Sequence, residues 1–142
     1  MTSTAVPLIR SRAFSRPVIV AGAVVIALLL NISITSIGRA AGGTFVFTSP
    51  TGPAFVDPIT VAGFTVLPLG VALTAVALLS LKWRWVIPAA MVAGPVLELG
   101  SIVGMTLPAD FDVASKVSLA LCHVALVPVT LVALELLRRR SR

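Results

Sequence analysis

From Val18 to Ile37 the chain runs 20 residues without a formal charge, and long apolar runs recur from Ile59, Trp85 and Val113. A helix needs about 20 apolar residues to cross a hydrocarbon core of about 30 Å, so each run is long enough for one span. We read the chain as an all-α membrane protein, a four-transmembrane-helix bundle with spans at about 18–37, 59–81, 85–107 and 113–137. Around them lie a basic leader (1–17), an outer loop (39–58) and a basic tail (138–142).

Composition supports this class. Of the 142 residues, 58% are hydrophobic and 11% charged, against about 25% charged in an ordinary soluble domain. The formal net charge of +6 raises the question of nucleic acid. The basic residues, however, sit in short clusters at the ends of apolar runs and leave no stripe to follow a phosphate backbone. No nucleic-acid partner is expected. The expected partner is the lipid bilayer, followed by another membrane protein or further copies of the chain. Cys122 is the only cysteine, which excludes an internal disulfide and a Cys-based metal site. No cofactor motif is present. Rich use of Ala, Val, Leu and Arg with little Lys points to a GC-rich bacterial genome and a multi-pass place in the inner (plasma) membrane.

The distribution of charge orients the spans. Arg10, Arg12 and Arg16 in the leader, Lys82 and Arg84 between spans two and three, and Arg138, Arg139, Arg140 and Arg142 in the tail put nine basic residues on one side. Only Arg39 and Lys116 fall on the other. The positive-inside rule then predicts both termini in the cytoplasm, with Trp83 and Trp85 in the interface belt and 39–58 outside. Within that loop Thr44-Phe45-Val46-Phe47-Thr48 alternates as a strand does, and Pro50-Thr51-Gly52 is turn chemistry. A short external hairpin is expected, the alternative being an irregular loop with Phe45, Phe47 and Phe55 in the headgroups. Asp110 or Asp112 is placed to cap span four. Ile37-Gly38-Arg39-Ala40 faintly resembles a signal-peptidase site, so a cleaved leader is the competing reading of span one.

Polar residues inside the spans are the candidates for function. A carboxylate at a helix centre costs about 2.5–3.5 kcal/mol on insertion scales, so Glu98 in span three needs a partner or a use. At 1.5 Å per residue, Asn31, Glu98 and His123 lie ~9, ~14 and ~15 Å below the outer ends of their spans. With Thr65 of span two they form a candidate intramembrane polar cluster, and Glu98 is expected within hydrogen-bond reach, direct or through one water, of His123 or Asn31. Gly100 and Gly104 form a GxxxG pattern and are candidate helix-packing residues. Glu98 on one face and these glycines on another predict that span three is the least lipid-exposed helix. Cys122 and His123 diverge by about 100° on a helix and do not form a metal-binding pair.

Several of these features together resemble an uncharacterised family of small actinobacterial four-helix membrane proteins, classed as a domain of unknown function. They are Asn31, the Gly-rich outer loop, Pro68, Gly94-Pro95 and His123. The resemblance covers roughly residues 18 to 138, implies four packed spans with span one retained, and carries no activity. The function expected is that of a non-enzymatic interaction, accessory or structural membrane subunit. The alternative is a small proton- or cation-coupled transporter using Glu98 and His123.

Overall fold

The computed structural model describes residues 14–140; Arg10 and Arg12 of the basic leader and Arg142 of the tail lie outside them. Four helices dominate: α1 (Arg16–Ala40), α2 (Pro58–Leu79), α3 (Val86–Ser101) and α4 (Val113–Arg140). α3 continues through a π-helical turn, Ile102–Thr106. Each of the four is long and apolar enough to cross a membrane.

The helix starts follow from local chemistry. Pro17 sits in the first turn of α1, where its missing N–H is one that no helix satisfies. It therefore suits the opening of the helix. Asp57 caps α2 by accepting the Thr60 N–H at 2.6 Å, with Pro58 next in the chain. Hydrogen bonds from Thr60, its side chain first and its N–H next, hold the Asp57 carboxyl below the usual carboxylate range. Asp112 does the same for α4, accepting the Ser115 N–H at 2.8 Å.

Packing follows stripes of residues four apart. α1 buries Ile19, Ala23, Ala27, Asn31 and Thr35, then Gly38. α2 buries Val61, Thr65, Leu69, Leu73 and Ala77. Stripes at this spacing form ridges that interlock, and the small residues in α1 let its neighbours come close. α1 packs on both α2 and α4, α3 packs mainly on α4, and α1 and α3 do not meet. The order across the molecule is therefore α2, α1, α4, α3.

Near the Lys82 turn all four helices contribute to one apolar core, with Ala23, Leu73, Ile87, Leu134 and Leu137 among its members. Toward the other end α3 is left against α4 alone. Only Val86 and Ile87 are buried in α3, with Thr106 in the π turn. Of a membrane-length window, 11% is buried in this helix against 28% in each of the others. The expectation that span three is the least lipid-exposed is thus overturned: one of its two faces meets protein, and the other does not.

Between α1 and α2 the strands β1 (Val46–Ser49) and β2 (Gly52–Phe55) pair antiparallel, Val46 opposite Phe55 and Ser49 opposite Gly52. A lone two-stranded hairpin is at best marginally stable, and side chains from the α3–α4 connection hold this one. Thr48 gives its N–H and hydroxyl to Asp110 at 2.8 and 2.7 Å. Thr44 gives the same two groups to Asp112 at 2.9 and 2.8 Å. Phe45 precedes β1 with a fully buried ring, its N–H on the Ser115 hydroxyl and the Arg39 guanidinium 4.6 Å from its centroid. Its φ of +56° is a left-handed conformation rare for such a residue, which burial of the whole ring offsets.

Candidate functional site

Asn31, Glu98 and His123 each meet one polar side chain of a neighbouring helix, in three separate pairs. Asn31 Nδ2 donates to Thr65 Oγ1 at 2.9 Å, and Thr65 passes its own hydrogen to the Val61 carbonyl at 2.7 Å. This pair fastens α1 to α2, and the buried Cys122 thiol of α4 approaches the Asn31 carbonyl at 3.8 Å. The side-chain oxygen Asn31 Oδ1 is buried with no hydrogen-bond partner among the described residues.

The other two pairs lie between α3 and α4. Thr130 Oγ1 donates to Glu98 Oε1 at 2.5 Å, while Glu98 Oε2 is buried with no hydrogen-bond partner among the described residues. One turn further along α3, Ser101 Oγ lies 2.7 Å from His123 Nδ1 and 2.6 Å from the Glu98 carbonyl. A hydroxyl has one hydrogen to give. If Ser101 gives it to that carbonyl, His123 Nδ1–H is the donor to Ser101. The helices come close here because of Gly94, where an added Cβ would stand 3.1 Å from the Thr130 methyl.

The single polar layer expected from depth is therefore divided. Asn31 and Thr65 meet, but Glu98 bonds directly to neither His123 nor Asn31. Side-chain direction gives the reason. Each Cα–Cβ bond tilts toward the N-terminus of its own helix, so on antiparallel helices two groups at equal depth lean apart. Glu98 reaches down to Thr130 and His123 reaches up to Ser101. Thr130 carried a visible signal, being the only polar residue between His123 and Glu135.

Gly100 and Gly104 are also corrected as internal packing residues. Nothing lies within 4 Å of where a Cβ on either would stand. The close approach between helices falls instead at Gly38, where an added Cβ would be 2.1 Å from the Ser118 hydroxyl.

A second polar set holds the hairpin. Asp112 accepts from Ser115 as well as Thr44, and these bonds, Ser115's first, keep its carboxyl well below the usual range. Thr48 does the same for Asp110. Sequence reasoning assigned these aspartates only to capping. At the opposite end Arg16 binds the Ala77 carbonyl and, at 2.9 Å, the Ser80 hydroxyl, placing a cation at the negative end of α2.

Among the described residues no three His, Cys, Asp or Glu side chains stand together as metal ligands would. Comparison with known proteins returns nothing similar: no family model, no curated protein and no solved structure matches the chain.

Proposed function

We propose that this chain is a multi-pass protein of a bacterial inner membrane, with both termini cytoplasmic, acting as a non-enzymatic accessory or structural subunit through contact with another membrane protein or a second copy. The observation that carries this reading is the flank of α3 turned away from α4. Val92, Val96, Gly100 and Gly104 recur there at four-residue spacing, and all are exposed. Exposed valines are ordinary in lipid. Two glycines with open space over them are what a second helix uses to approach closely. The one-to-one pairing of Asn31, Glu98 and His123 with Thr65, Thr130 and Ser101 fits side chains that join helices.

A photoreactive residue at Val96, with one at the exposed Leu29 of α1 as control, tests this. A protein adduct from Val96 and only lipid adducts from Leu29 are expected, and adduct mass tells a second copy from another protein. Lipid adducts alone at both positions would end the proposal. Orientation is tested separately, by reporters near Lys82 and Thr51 that should read opposite sides.

The second reading, a proton- or cation-coupled carrier, is favoured by one observation: Glu98 keeps an oxygen buried without a hydrogen-bond partner among the described residues. Glu98→Gln keeps shape and bonding but cannot titrate. Normal accumulation with unchanged proton or cation flux in proteoliposomes excludes the carrier, whereas flux abolished by this change supports it.

A further inference from the structure

Where α1 meets α4, in the half of the molecule nearer the termini, an apolar groove of about 460 Å³ runs along both helices. Its walls are two stripes at four-residue spacing, Val18, Gly22 and Ile26 on α1 and Pro128, Val132 and Leu136 on α4. Ala23 and Ala133, both buried, set its depth. Gly22 widens it, since nothing lies within 4 Å of where its Cβ would stand.

The dimensions select the occupant. From Arg16, where α1 begins, to Ile26, the last groove residue on that helix, the rise is about 15 Å, one leaflet of a core about 30 Å thick. The volume spread over that length leaves a section of about 30 Å², less than half that of a helix about 10 Å across. A groove this narrow suits a single hydrocarbon chain better than a helix.

Charge selects the headgroup. The α4 stripe of Pro128, Val132 and Leu136 continues at the same spacing into Arg140. Glu135 engages Arg138 at 2.7 Å and Arg139 at 2.9 Å. Arg140 has no hydrogen bond or ion pair with any described residue. One turn beyond Leu136, the last groove residue on α4, the stripe thus reaches an uncommitted arginine, whose guanidinium can bind a phosphate diester through paired N–H donors.

We infer that this groove is a binding site for an anionic glycerophospholipid, one acyl chain lying between Gly22 and Val132 and the headgroup phosphate on Arg140. The inference rests on the reading that the four helices cross a bilayer, with the terminal end at a membrane surface. It does not depend on the α3 flank.

The test uses the full chain in a mild detergent, with native mass spectrometry after addition of palmitoyl-oleoyl phosphatidylglycerol or phosphatidylcholine in equal amounts. Wild type should retain phosphatidylglycerol about fivefold better, the ratio expected for one arginine acting on an anionic headgroup. Arg140→Gln should bring the two lipids level. Gly22→Leu should reduce retention of both, because the new side chain occupies the groove, and its helical circular dichroism should match wild type because nothing lies within 4 Å of the added Cβ. Equal retention of the two lipids by wild type, or a preference that survives Arg140→Gln, overturns the site. Failure of the bilayer reading has a different signature: the chain would then stay in the aqueous phase on Triton X-114 partitioning.

Discussion

α1 and α3 are both long apolar helices carrying glycine, yet α1 is held on two sides by protein and α3 is held on one. The difference lies in where small residues fall relative to the neighbours. In α1, Ala23, Ala27, Thr35 and Gly38 share the buried stripe, so α2 and α4 approach along its length. In α3 only Gly94 faces α4 closely, and Gly100 and Gly104 point into open space. In lipid, exposed apolar surface costs little, and helices associate through close packing and interhelical hydrogen bonds instead. A glycine therefore matters by what stands opposite it.

The sharpest test of this contrast is Gly38→Val. Its Cβ would collide with the Ser118 hydroxyl and crowd the Phe45 ring, so stability measured by denaturant titration in micelles should fall by the cost of overpacking, about 1–3 kcal/mol. A wild-type midpoint would show that α1 and α4 are not tightly joined there.

Acid should next undo the hairpin while leaving the α1 seam intact. The folded carboxyls of Asp110 and Asp112 are held below their ordinary value by Thr48, Ser115 and Thr44. A depressed folded pKa means the stabilisation is full above the unfolded value of about 3.9 and is lost as pH falls through the lower folded value. Amide exchange of Thr44 and Thr48 should accordingly stay slow from pH 7 to about 5 and accelerate progressively below about 4. Acceleration already near pH 6 would mean that these aspartates do not hold the strands.

Thr130→Val should have a smaller effect, about 0.6 kcal/mol on the average for interhelical hydrogen bonds in membranes. It removes the single donor to Glu98 Oε1 while keeping the shape of the side chain. A loss as large as that for Gly38→Val would make the α3–α4 pair as important as the α1 seam, and the comparison between the helices would fail.

The smallest change is expected for Gly100→Val, which should leave the stability of the isolated chain within about 0.5 kcal/mol, as for surface substitutions away from packed features. The same change should abolish the Val96 photo-adduct if a second helix seats on that flank. Strong destabilisation of the isolated chain would place protein over Gly100 after all.

The four helices were legible because length and apolarity act locally. A 20-residue apolar run is a helix in lipid whatever its neighbours do. Asn31, Thr65, Glu98 and His123 were conspicuous for the same reason, as polar residues in apolar runs. The partner of Glu98 was not legible from depth, because antiparallel side chains lean toward opposite ends and shift the contacts by about one to two turns. Thr44 and Thr48 were readable as strand residues, but their aspartate partners lie more than 60 residues away in sequence, and nothing in either segment alone points to the other.

By itself the sequence determined four apolar helices, a cap for the fourth at Asp110 or Asp112, and which polar groups had to be accommodated within them, since each of these depends on residues within a turn or two. Only the tertiary structure decided that α1 and α4 occupy the middle, that α3 stands apart on α4, and that Gly38 rather than Gly100 is a point of close approach. Those outcomes depend on which surfaces fit each other across the molecule, and all four helices are apolar enough that hydrophobicity does not distinguish one neighbour from another.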